Sequence, residues 1–152
     1  MWEEFRSHAL ALLGEYFPPN LVKDNGDSLT FVDRRERLRY FLTESAQGIT
    51  IGDYEERNTV GIIFTSPSIE LATIALTLLV REGLGELVDM DYPPDELLGP
   101  VPGTDYSITE DRSRGFHLTH KSDSSLRAKC EYFTYARALA EASAPSRDSL
   151  ET

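Results

Sequence analysis

The chain has 152 residues, 40% hydrophobic and 10% aromatic, enough for one domain whose core needs neither a disulfide nor a structural metal. Its net charge of -11 repels phosphate backbones, and its one basic cluster, Arg34, Arg35, Arg37 and Arg39, is small and mixed with acids, which argues against nucleic-acid binding. A single cysteine, Cys130, excludes an internal disulfide and a Cys-based zinc ribbon, and fits a reducing cytoplasm.

The N-terminal segment Met-Trp-Glu-Glu-Phe-Arg is charged and amphipathic, unlike a signal peptide. Trp2, Phe5, Ala9, Leu12, Leu13 and Tyr16 recur at three- and four-residue spacing, predicting a helix closed by Phe17-Pro18-Pro19. Residues 23–27 read as a turn. Four short segments rich in β-branched and aromatic residues follow, Ser28–Val32, Leu38–Thr43, Ile49–Tyr54 and Thr59–Phe64. The turns between them are polar and too short for crossover helices, so the segments read as an antiparallel meander.

Ser66-Pro67 reads as a helix start and Gly83 as its stop. Apolar residues from Ile69 to Val80 wrap most of that helix, which places it at the centre of the domain; at this length it is too short to span a bilayer, which needs about 20 residues. Leu84 to Thr104 is an ordered long loop in which Pro93, Pro94, Pro100 and Pro102 alternate with acids and leucines. Three further strands, Asp105–Thr109, Gly115–His120 and Leu126–Tyr132, lead to a last helix, Phe133–Ala142. The predicted class is therefore α+β: antiparallel sheet from two strand-strand-strand-helix halves, with an N-terminal helix and a central buried helix. The two halves would share helix packing either as two sheets or as one. Residues 1–142 form the domain, and residues 143–152 read as a disordered tail.

Between Arg81 and Arg112 the chain has no lysine or arginine but carries Glu82, Glu86, Asp89, Asp91, Asp95, Glu96, Asp105, Glu110 and Asp111. Such a field draws basic partners. The candidate contacts are Asp89, Asp91, Asp95 and Glu96, with Met90 and Tyr92 as apolar anchors, since aromatic centres ringed by charge often dominate interface energy. A second candidate is the hairpin tip of Asp53, Tyr54, Glu55 and Glu56. Each cluster also reads as a plain solvated turn.

Signals for catalysis are weak. His117 and His120 are three apart on a predicted strand and point to opposite faces, so they do not share a metal. Cys130 alternates with core positions and reads as a buried thiol. Glu44 and Glu110 illustrate carboxylates that could pair, but sequence spacing does not bring them together. No nucleophile elbow, phosphate loop or zinc-protease motif is present. No enzyme activity, metal or cofactor is expected.

The run Leu38-Arg39-Tyr40-Phe41, then Gly48-Ile49-Thr50-Ile51, the Glu56-Arg57 pair before Val60–Phe64, and the helix through Leu71 and Ala75 resemble small actinobacterial immunity proteins. Pro102-Gly103-Thr104-Asp105-Tyr106 and Gly115-Phe116-His117-Leu118 extend the likeness, which spans residues 26 to 142 and lies in element order more than in any one motif. These proteins are similar to the immunity factor that neutralises the tuberculosis necrotizing toxin. The resemblance implies an inhibitor in the cytoplasm of the producing cell, monomeric and binding one toxin catalytic domain; for the named toxin the reaction blocked is NAD glycohydrolysis. The same order of elements in a small acidic chain also looks like the type III secretion chaperones, which are dimers that hold a partly unfolded client.

Overall fold

Helix α1, Trp2–Tyr16, forms where the three- and four-residue spacing predicts it and buries Trp2, Phe5, Ala9 and Leu13. The structure, a computed structural model, describes residues 1–54, 60–88, 90 and 92–143. After α1, Pro19–Leu21 makes one 3-10 turn and Val22–Asp24 forms a short strand, β1. The expected turn over 23–27 is thus shorter than read, because α1 holds the segment: Trp2 Nε1 donates to the Gly26 carbonyl at 2.6 Å, and Arg6 pairs with Asp24. Those tertiary contacts were not visible in local composition.

The meander follows as β2 Ser28–Asp33, β3 Leu38–Ser45, β4 Gly48–Tyr54 and β5 Val60–Ser66, all antiparallel. The central helix α2 is Ile69–Glu82. Its cap is Ser68, whose Oγ accepts from the Leu71 amide at 3.1 Å, rather than Ser66-Pro67. Ser66 instead ends β5, and its hydroxyl accepts from the Ser68 amide at 3.0 Å. Ser68 was not singled out in the sequence, and its bond to Leu71 identifies it as the cap.

The long loop is ordered through its apolar residues, with Leu84, Leu87 and Val101 in the core. It contains a one-turn helix, α3 Leu84–Leu87, a 3-10 turn at Asp95–Leu97 and a two-residue strand, β6 Gly99–Pro100. Strands β7 Tyr106–Glu110, β8 Phe116–His120 and β9 Arg127–Cys130 precede the last helix, α4 Phe133–Ser143.

All the described strands belong to one antiparallel sheet in the order β1-β2-β3-β4-β5-β9-β8-β7-β6. The two predicted halves meet at β5 and β9, where Phe64 faces Cys130 and Thr65 faces Lys129 in register. Helices α1 and α4 flank α2, and α2 and α4 pack on the strands. Leu29, Phe31, Tyr40, Leu42, Ile51, Phe64, Ile108, Leu118 and Cys130 supply the sheet's half of the core. The Tyr135 hydroxyl of α4 donates to the Ala75 carbonyl of α2, tying the second half's helix to the first's. No helix among the described residues is long and apolar enough to cross a membrane.

Candidate functional site

Strand residues alternate between faces, so each residue turned toward the helices leaves its neighbours pointing away from them. On β9 Ala128 and Cys130 are buried while Arg127 is exposed and Lys129 half-buried. On β8 Phe116 and Leu118 are buried, and His117 and Thr119 are exposed. The face opposite the helices is therefore a surface. On β5, the middle strand of the sheet, it carries Val60 and Ile62, 51% and 48% exposed, which is unusual for β-branched side chains on a paired strand.

Three depressions join along this face. One, of about 500 Å³, is lined by Ser45, Gln47, Thr50, Ile62, Thr65, Arg114, Lys129 and Glu131. A second, of about 370 Å³, shares Gln47, Thr65 and Lys129 with it and continues toward Thr109, His117 and Arg127. A third, of about 550 Å³, shares Arg114 and Glu131 and opens at the rim beside Tyr92. The floor is set by small groups: the Thr50 hydroxyl lies 3.1 Å from that of Ser45 and 3.4 Å from that of Thr65. Gly52 is required here, since a Cβ would come within 2.2 Å of the Phe41 ring and 2.6 Å of the Gly61 carbonyl. Phe41 in turn meets Tyr54 edge to face at 5.4 Å, and the Arg39 guanidinium lies 4.1 Å over the Tyr54 ring.

Ion pairs hold the wall formed by the β7–β8 turn. Asp111 accepts from the Ser113 hydroxyl at 2.6 Å and its amide at 2.8 Å, from Lys129 Nζ at 3.2 Å, and lies 2.7 Å from His117 Nε2. Those hydrogen bonds, from Ser113 first, hold its carboxyl far below the usual carboxylate range. Arg114 pairs with Glu131 at 3.0 Å. His120 lies on the other face against Tyr106, with ring centroids 5.1 Å apart, so the two histidines diverge as expected. Cys130 is fully buried, and burial pushes its thiol up to about 12, out of the range of a nucleophile. Among the described residues no group of three His, Cys, Asp or Glu side chains is arranged for a metal.

The structure separates the residues singled out in the sequence. Tyr54 stands on the open face, whereas Asp53 lies in register with Tyr40 and Gly61 on the helix-facing side. Glu55 and Glu56 lie outside the described residues, as do Asp89 and Asp91. Met90 is 38% and Tyr92 90% exposed, and Asp95 and Glu96 are exposed in the 3-10 turn before β6. Tyr92 reaches the joined depressions, but Glu96 borders a separate one of about 80 Å³ with Pro100, Phe133 and Arg137. The hairpin end at Tyr54 and the loop before β6 are separated in the sheet by β5, β9, β8 and β7. Sequence reading missed Ile62, Thr65, Arg127 and Lys129; the signal available was the outward half of the alternation, whose inward half, Ala128 and Cys130, marked β9 as a strand.

No family model matches the chain, and no curated protein matches it. A solved structure does. Rv3902c from M. tuberculosis superposes with a TM-score of 0.57, covering 95% of this chain and 83% of that one, at 15% identity. The two proteins share a fold. At that identity the likeness extends to the arrangement of strands and helices, and the residues of the open face stand on their own chemistry.

Proposed function

We propose that this protein is an immunity protein: in the cytoplasm of the producing cell it binds the folded catalytic domain of a cognate secreted toxin and blocks its active site, with no reaction of its own. The observation that carries this reading is the open face, where Val60 and Ile62 are exposed and Ile62 borders a trough with ion-paired walls. A broad face that sets exposed apolar side chains beside charged ones suits recognition of a folded protein surface. The resemblance of the sequence to actinobacterial immunity proteins supports the same reading, and a toxin that hydrolyses NAD is the target class it implies. The exposed acids Asp95 and Glu96 and the net charge of -11 would hasten capture of a partner whose surroundings are basic. A 1:1 complex is expected.

Coexpression with a secreted toxin's catalytic domain, beginning with any encoded beside this gene, tests the proposal directly. Rescue of growth together with a stable purified complex is the expected result. No rescue, with a dimeric protein that binds only an unfolded client, would replace it by the secretion-chaperone reading.

A further inference from the structure

The sheet sorts its charges by face. Lys23, Arg39, Arg127 and Lys129, the lysines and arginines of the described strands, all fall at positions in register with the open side: Lys23 opposite Thr30, Arg39 opposite Val32, Arg127 opposite Thr119, and Lys129 opposite Thr65 and His117. The strand acids, Asp24, Asp33, Glu44, Asp53 and Glu110, all fall at positions in register with core residues: Leu29, Leu38, Ile49, Tyr40 and Phe116 respectively. Within a chain of net charge -11 the open side of the described strands thus bears only positive full charges among lysines, arginines and acids. Among the described residues, the carboxylates that approach it come from beyond the strand ends, Asp111 against Lys129 and Glu131 against Arg114.

We infer that the open face of the sheet docks an acidic, partly apolar element of the toxin domain, seated across β5 and β9, so that its carboxylates meet Arg127 and Lys129 and its apolar side chains meet Ile62. This rests on the immunity reading above and specifies where and by what chemistry the partner is held. Charge complementarity selects the occupant. A basic element would set like charges against Arg127 and Lys129 at close range, which selects against it. A second copy of this chain is disfavoured, because two bodies of charge -11 repel before any local match is reached. The exposed Ile62 beside Thr65 gives the element apolar contact area, which charge alone does not supply. The toxin surface that fits is the inverse of this one, acidic where it meets the strands and basic around them.

Two measurements test the inference. In the first, affinity for the cognate toxin domain is titrated for the wild type, for Arg127→Glu with Lys129→Glu, for Ile62→Glu, and for Asp95→Lys with Glu96→Lys. The first two variants should each lose about tenfold or more, and the loop variant should stay within about twofold. Ile62→Glu breaks no ion pair, so it remains informative if the double reversal loosens the β7–β8 turn; melting curves report folding for each. Wild-type binding with full affinity in the face variants would overturn the docking site and leave the immunity reading intact.

In the second measurement, the isotope-labelled protein is titrated with an amphipathic glutamate–leucine peptide and with its lysine–leucine counterpart. The acidic peptide should shift the Thr65 and Lys129 amides and the basic one should not. If the wild type binds no toxin domain, the immunity reading fails and the peptides alone decide the face. Shifts at Thr65 and Lys129 from the basic peptide, or from neither, would sink the docking site.

Discussion

Ser66 donates its hydroxyl hydrogen to the Arg127 carbonyl at 2.6 Å, bridging β5 and β9 where the two halves of the sheet meet. The same oxygen accepts from the Ser68 amide, so one buried side chain joins the seam to the start of α2. Direct register at this seam covers only Phe64 with Cys130 and Thr65 with Lys129, supplemented by the Glu131 amide donating to the Ile63 carbonyl at 2.9 Å. Ser66→Ala leaves a buried amide and a carbonyl to find other partners, and should cost about 1–3 kcal/mol. Urea unfolding would measure it, and an unchanged midpoint would show that the seam does not depend on this bridge.

Asp33 governs part of the response to acid. It is buried, and burial pushes its carboxyl up, but Arg35 outweighs that by donating from its amide at 2.9 Å, its Nε at 3.2 Å and its Nη2 at 3.0 Å, so the carboxyl sits below its ordinary value. Arg35 also donates to the Val80 carbonyl at 2.9 Å, anchoring the β2–β3 turn to α2. A carboxyl depressed in the folded state contributes stability that is present above its unfolded value, near 3.8, and is lost as pH falls through the lower folded value. Stability should therefore fall below about pH 4. Asp33→Asn should lower stability at pH 7, with the gap to wild type narrowing as pH drops; parallel curves from pH 7 to pH 2 would assign the acid response elsewhere.

The shape of the open face depends on Gly52. Gly52→Ala would press a methyl group into the Phe41 ring and the Gly61 carbonyl, one of them backbone that cannot swing aside. The expected cost is about 1–3 kcal/mol, with a displaced Phe41–Tyr54 pair visible as altered near-ultraviolet dichroism. A variant as stable as wild type would mean that the strands have room to part here.

Rates should separate the two kinds of charge. Asp95→Lys with Glu96→Lys should slow association with the toxin domain at low salt, converging to within about twofold of wild type at physiological salt, and flatten its salt dependence, since exposed charges on a separate turn act through the long-range field, screened over about 10 Å at 0.1 M salt. Lys129→Glu should instead speed dissociation. Stopped-flow mixing at low and physiological salt would distinguish them, and association equally fast in every variant at both salts would remove steering from the mechanism.

Much of the fold was legible because it is written in local periods. Trp2, Phe5, Ala9 and Leu13 mark one stripe of a helix, and Ala128 and Cys130 mark one side of a strand. What local pattern does not carry is partnership. β1 and β6 are too short to leave a periodic signature and exist through the strands beside them, and Ser66 and Ser68 are told apart only by what their hydroxyls reach. The site suffered most from this. Acids contiguous in sequence drew attention to residues 89–96, whereas the cations Lys23, Arg39, Arg127 and Lys129 are scattered in sequence and gathered by the sheet. Arg39 was grouped with its neighbours Arg34, Arg35 and Arg37, although Arg35 turns to Asp33 and Val80 and Arg39 to the Tyr54 ring.

The sheet ends in β1, three residues long, and in β6, two residues of which one is proline. An edge that brief gives a newly arriving strand almost no backbone to pair with, and Pro100 has no amide to offer. Folded copies can therefore be held at high concentration with little edge on which to pair strand to strand, as the proposed immunity role would require of a protein kept in stock.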